Sequence, residues 1–181
     1  IQVMVGLPGE TRENLVLGAR ELAAFRPDTA RIYPLLVLKG SPLAGWYAKG
    51  AYCPLTLDQA VERAKGIYLA FIREGVKVIR MGLQASEMMA DDSLVLAGPW
   101  HPAFGHLVLS SVFYDRAVAK IEGEQAKNNG GQIILRVHPR SESRLRGDKN
   151  RNLRLLGERF PGLTFRVEAR EDLSEDEMEI G

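Results

Sequence analysis

The chain has 181 residues, 45% of them apolar and 26% charged, with a formal net charge of +1, a balance that fits one large or two small globular domains. No apolar run approaches the roughly 20 residues of a membrane helix and no basic-then-apolar leader is present, so the expected location is the cytoplasm, with no membrane partner. Cys53 is the one cysteine, which excludes an intrachain disulfide framework and any cysteine-built metal or iron–sulfur site made from this chain alone.

Ile1-Gln2-Val3-Met4-Val5 reads as a strand entered midway, so the chain is expected to be a piece of a longer protein. Gly6-Leu7-Pro8-Gly9-Glu10-Thr11 follows, then an amphipathic helix over residues 11–25, with Leu15, Ala19, Leu22 and Ala23 on one face and Pro27 as its stop. Residues 30–38, apolar almost throughout, suit a strand covered on both faces. A loop holding Gly40, Pro42, Gly45 and Gly50 leads to a helix over 57–74, opened by Thr56 or Asp58 and stopped by Gly75. A strand over 76–81 completes a βαβαβ series, which implies parallel pairing and right-handed crossovers.

Residues 85–130 read as a mainly helical joint, with an aromatic and glycine-rich stretch, Gly98-Pro99-Trp100-His101-Pro102-Ala103-Phe104-Gly105-His106, ahead of a helix over 107–121. Asn128-Asn129-Gly130-Gly131 marks a turn or linker. The last module reads as strand 132–137, short helix 142–146, turn 147–150, helix 152–160 and strand 163–168. The domain division is thus 1–84, 85–130, 131–170 and an acidic tail, 171–181.

The glycine turn after the first strand lies where a parallel strand ends and a helix begins, the place where α/β proteins bind ligands. It lacks the lysine and hydroxyl residue of a phosphate-cradling P-loop and the spacing of a dinucleotide fingerprint. Its glycines let a backbone approach a ligand, and Glu10 offers a hydrogen-bond acceptor; a tight turn with a helix cap is the equal alternative. His101, His106 and His138 are read as polar neighbours of the joint and not as metal ligands, since Pro102 breaks any helix that could align the first two.

V-M-V-G-L-P-G-E-T, R-P-D-T-A-R-I-Y-P-L-L-V-L-K-G-S-P-L and Y-A-K-G-A-Y-C-P-L-T-L-D-Q-A-V occur in this order. Together they resemble the later part of a radical S-adenosylmethionine enzyme, and specifically the bacterial proteins related to the catalytic subunit of Elongator, with their C-terminal extension. The likeness covers residues 1–84 and extends to His106. It implies a partial TIM-like (βα) barrel segment, with S-adenosylmethionine on the C-terminal strand ends. Met4, Val5 and Gly6 would lie against the adenine, Gly9 and Glu10 in the turn beyond, and Leu36 and Val37 on the next strand. The family binds a [4Fe–4S] cluster through three cysteines that this sequence lacks. The chain alone is therefore expected to be inactive and to hold neither cofactor tightly. Lys39, Arg80 and Gln84, polar groups at strand ends, are candidate substrate contacts or simply solvated charges; Tyr33 reads as a packing residue.

Residues 132–170 carry ten arginines and lysines against four acids, a local excess of six that the overall charge hides. The order strand, helix, glycine turn, helix, strand resembles the minimal KH module, whose G-x-x-G turn clamps a sugar–phosphate backbone. Gly147 keeps the first glycine and Asn150 replaces the second. Arg146, Gly147, Lys149, Asn150 and Arg151 are the expected nucleic-acid contacts in this βααβ (KH-like) module, with RNA or tRNA as partner. The six acids of residues 171–181 read as a solvated tail, or as a segment that folds back on the basic module. Strand one, left at an edge, is expected to support self-association. The alternative to the enzyme reading is a non-catalytic binding or interaction module whose glycine turns are purely structural.

Overall fold

The computed structural model describes residues 1–83, 94–125 and 131–181. It is mixed α/β and divides into two compact units, Ile1–Val108 and Leu109–Gly181.

In the first unit, β1 (Gln2–Val5), β2 (Thr29–Pro34) and β4 (Lys77–Met81) form a parallel sheet in the order β1-β2-β4. The register sets Met4 beside Tyr33 and Val5 beside Pro34. Helix α1 (Arg12–Ala24) is capped by Thr11, whose hydroxyl accepts from Asn14 N. Helix α3 (Leu57–Arg73) opens with a capping box, Thr56 and Gln59 each bonding the other's backbone. The buried face of α3, from Ala60 through Ile67 to Phe71, lies on β2 and β4, and α1 packs against α3. At Gly66 an added Cβ would come within 3.1 Å of Val16, so glycine permits this close helix approach.

The expected strand over 30–38 is two strands. Pro34 ends β2, since it has no N–H to continue the ladder, and β3 (Val37–Leu38) pairs antiparallel with β5 (Val95–Ala97) in a separate sheet. β5 also places a strand inside the stretch read as mainly helical. The expected loop around Pro42 contains a helix, α2 (Pro42–Ala48), capped by Ser41 with proline in its first turn.

In the second unit, β6 (Gly131–Val137) is central, parallel to β7 (Leu163–Ala169) on one side and antiparallel to β8 (Met178–Ile180) on the other. Between β6 and β7 run α5 (Glu142–Arg146) and α6 (Arg151–Arg159). The core joins Phe113, Ala117 and Ile121 of α4 (Phe104–Gln125) to Leu135, Val137, Leu145, Leu156 and Met178. Of the two readings of residues 171–181, a solvated tail or a segment folded back on the basic module, the structure shows the second: they carry β8, pair with β6 and bury Leu173 and Met178. Three apolar side chains spaced among the acids supply the anchorage: Leu173, Met178 and Ile180.

Candidate functional site

The turn that closes β1 is held from several directions. Gly6 is buried with φ +97, a backbone conformation open to glycine and strained for other residues. The Glu10 carboxylate folds back and accepts from Gly6 N at 3.0 Å and Leu7 N at 3.4 Å. Arg63, reaching from α3, donates to the same carboxylate at 2.7 Å and to the Glu10 carbonyl at 3.3 Å. Tyr52 donates its hydroxyl to the Gly6 carbonyl at 2.7 Å. Burial first, and then the neighbouring Glu10 charge, push the Tyr52 phenol above its ordinary value of 10.0. The protonated form is thus favoured in the fold: its stabilising contribution is complete below pH 10.0 and is lost as pH rises through the raised value. The hydroxyl therefore remains a donor throughout the physiological range.

Two concavities meet at this turn. A cleft of about 240 Å³ lies between residues 6–10 and residues 51–55, with Arg63 at its wall. A groove of about 530 Å³ runs along β1 and α1, lined by Val3, Met4, Gly9, Leu15 and Ala19 among others.

The expected site residues fall in distinct places. Met4 lines the groove and Gly6 and Gly9 form the turn, whereas Val5, Leu36 and Val37 are core residues. Glu10 spends its carboxylate on the turn itself. Lys39 is exposed just after β3, where its N–H donates to Leu94 O; Arg80 is half-buried on β4; Gln84 lies outside the described residues. Arg63 and Tyr52 were not anticipated. Both reach the turn from some fifty positions away, 53 and 46 residues, and no local spacing marks them.

Three of the five expected nucleic-acid contacts sit in the turn between α5 and α6. Gly147 has φ 71, and Lys149 (φ 49) and Asn150 (φ 60) are successive left-handed residues. Arg146 is tied to Glu142 at 2.9 Å, and Arg151 opens α6. A lysine in left-handed backbone stores about 1 kcal/mol of strain, so Lys149→Gly should stabilise the chain by about that amount in urea denaturation. A protein no more stable than its parent would show that the turn relaxes without cost.

The basic surface is partly self-neutralised. Glu175 pairs with Arg140 at 3.0 Å and Arg144 at 3.4 Å, and its carbonyl accepts from the buried Ser141 hydroxyl at 2.6 Å. Arg170 pairs with Asp172 and Glu179. The Arg140 hydrogen bond, reinforced by the charges of Arg144 and His138, holds Glu175 below its ordinary value of 4.5 despite some opposing desolvation. A depressed carboxyl contributes stability above pH 4.5 and loses it as pH falls through the lower value. Titration followed by carboxyl NMR should therefore place the Glu175 midpoint below 4.5, and Arg140→Ala should raise it; an unchanged midpoint would mean the pair is absent in solution.

His101 and His138 each accept a backbone N–H two residues on, from Ala103 and Arg140, at 3.1 Å through Nδ1. Each serves as the cap of a His-Pro turn. Among the described residues no group of three or more His, Cys, Asp or Glu side chains could hold a metal ion, and no helix is long and apolar enough to cross a membrane. The donor set does not fit an iron–sulfur cluster, because one exposed thiol, Cys53, cannot supply the thiolates a cluster needs.

A stretch of 59 residues is 37% identical to an uncharacterised protein of Methanocaldococcus jannaschii, covering 33% of this chain and 18% of that protein. The chain therefore spans less than a fifth of that relative. Residues 27–112 match the Radical_SAM C-terminal domain, and this match supports a likeness to the C-terminal part of a radical SAM protein.

Proposed function

We propose that the first unit is the closing sector of a radical S-adenosylmethionine barrel related to the catalytic subunit of Elongator, and that the second unit selects an RNA substrate. The carrying observation is the Gly6 turn at the C-terminal end of β1. Strands β1, β2 and β4 are neighbours in one sheet, all parallel, with α1 and α3 packed together, as in a sector of a (βα) barrel. In this reading Met4 and the backbone of Gly6 and Gly9 border the cofactor, Val5, Leu36 and Val37 support that border from the core, and Glu10 sets the turn. Lys39 and Arg80 face substrate. The cluster ligands come from sequence outside this chain.

The longer protein, reconstituted anaerobically, should cleave S-adenosylmethionine reductively, while the chain alone should show neither cluster absorbance nor cleavage. Gly6→Val in the longer protein should weaken cofactor binding at least tenfold, about 1.4 kcal/mol, because a side chain at φ +97 meets Leu55 within 3.2 Å. Turnover by the chain alone, or unchanged affinity in Gly6→Val, would refute the assignment.

For the second unit, the order β6, α5, turn, α6, β7 supports a KH-like clamp on an RNA backbone, with Lys149 and Arg151 beside Gly147 and Asn150. Lys149→Glu should weaken single-stranded RNA binding and flatten its salt dependence, by about 0.7 in log–log slope for each phosphate the protein ceases to neutralise. Equal weakening by Lys77→Glu, in the other unit, would leave only a generic polyanion surface. β1, first in its sheet, offers its outer edge to a second copy, and light scattering should then find dimers.

A further inference from the structure

Helix α2 is folded but buries none of its residues. Its ends are nevertheless fixed. Ser41 accepts from Ala44 N and donates to the Leu38 carbonyl at 2.7 Å, and beyond the helix Gly50 turns left-handed so that Ala51 N reaches Trp46 O at 2.9 Å. This short, pinned helix presents Trp46, 52% exposed, and Tyr47, 39% exposed. Trp46 and the exposed Lys49 are three residues apart and share a face. Residues 29–57, which contain the helix, include Arg31, Lys39 and Lys49 and not one acid. An exposed tryptophan with an exposed lysine on the same face is complementary to a stacked base and its phosphate.

We infer that α2 is a base-stacking platform for single-stranded RNA, with Trp46 stacking on a base and Lys49 meeting the adjoining phosphate. The inference rests on the RNA reading above and extends it to the first unit. Position supports it. Tyr47 lies five positions before Tyr52, whose hydroxyl holds the Gly6 carbonyl, so the platform lies within about 18 Å of that residue, on the segment that leaves the C-terminal end of β2, the end of the parallel sheet that carries the candidate cofactor turn. A base held there is presented to that end of the barrel, while a clamp on the second unit would hold backbone elsewhere along the strand.

The test uses the full chain carrying Trp100→Phe, which leaves Trp46 as the one tryptophan and removes an indole N–H that has no partner among the described residues. Titration with an oligoadenylate of about eight nucleotides should quench Trp46 fluorescence. Binding followed by anisotropy of a labelled oligonucleotide should weaken roughly tenfold or more in Trp46→Ala and remain near the parent's in Trp46→Phe, since a phenyl ring still stacks. Lys49→Glu should reduce the salt slope by about 0.7. If Lys149→Glu weakens binding and Trp46→Ala does not, the platform is wrong and the RNA reading of the second unit stands. If no variant or parent binds the oligonucleotide, both fall. A dimer abolished by Trp46→Ala, with RNA affinity unchanged, would give the face to a second copy and overturn the inference. DNA of the same sequence binding equally well would show stacking without selection of RNA and overturn the assignment of RNA as occupant.

Discussion

Gly147→Ala should destabilise the C-terminal unit by about 3 kcal/mol, combining backbone strain and a disturbed buried polar group. Gly147 sits at φ 71, ψ 172, a region that residues with a Cβ essentially do not enter. Space is equally closed: a Cβ there would come within 3.0 Å of the Asn152 side chain and 3.1 Å of its backbone nitrogen. Asn152 cannot yield cheaply. It is 5% exposed, and its amide nitrogen faces three carbonyls, Ser110 at 2.8 Å, Leu145 at 3.0 Å and Arg144 at 3.2 Å. Through these contacts one side chain joins α4, α5 and α6, so displacing it unties the helices that cover β6 and β7. Gly157 is the control. It lies in α6 with nothing within 4 Å of an added Cβ, and Gly157→Ala should stabilise by up to about 1 kcal/mol. Urea denaturation with hydrogen exchange at β6 amides reads both, and equal effects of the two substitutions would show that the Gly147 conformation is not needed.

What the sequence disclosed follows from the range of the interactions involved. α3 was legible because its signals are local: Thr56 and Asp58 open it, an apolar face repeats at helical spacing, and Gly75 closes it. α2 was obscured because Pro42, Gly45 and Gly50 have a loop-like composition, although Ser41-Pro42 is a helix start that reads correctly once proline is placed in the first turn. β3 and β5, two and three residues long, are too short to show a period. In the acidic segment the charges overshadowed Leu173, Met178 and Ile180, which fix it to the sheet. Removing residues 171–181 would therefore strip a strand from β6 as well as the acids, and Glu175→Gln is the substitution that tests charge masking alone. The glycine turn itself was legible in the sequence, but the hold on Glu10 was not, because Arg63 and Tyr52 meet it only through the packing of α3 and the segment before it.

Glu10→Ala should cost about 2–4 kcal/mol and loosen the whole turn, since it leaves a buried N–H and a partly buried guanidinium without their partner. The Glu10 side chain is 7% exposed and that of Arg63 25% exposed, so water replaces little of what is removed. Glu10→Gln keeps an acceptor for Gly6 N and surrenders the charge; it should fall between the parent and Glu10→Ala. Arg63→Ala strands the carboxylate instead, and Tyr52→Phe removes only the donor to Gly6 O, about 1 kcal/mol. The resulting order of stability, Tyr52→Phe above Glu10→Gln above Glu10→Ala, separates two roles for Glu10. If its work is to shape the turn, amide exchange at Gly6 and Leu7 in the chain without any ligand should quicken in Arg63→Ala and Glu10→Ala alike. If its work is to touch the cofactor, Arg63→Ala should leave those amides as protected as in the parent and alter binding alone. The geometry favours the first: both carboxylate oxygens already accept from the backbone of the turn, and the arginine that neutralises them comes from the helix packed beneath it. Under the function proposed above, cofactor recognition at this strand end would fall to the backbone of Gly6 and Gly9, and Arg63→Lys, which retains charge but not the reach of the guanidinium whose Nη1 meets both the Glu10 carboxylate and carbonyl, should recover only part of the protection that Arg63→Ala removes.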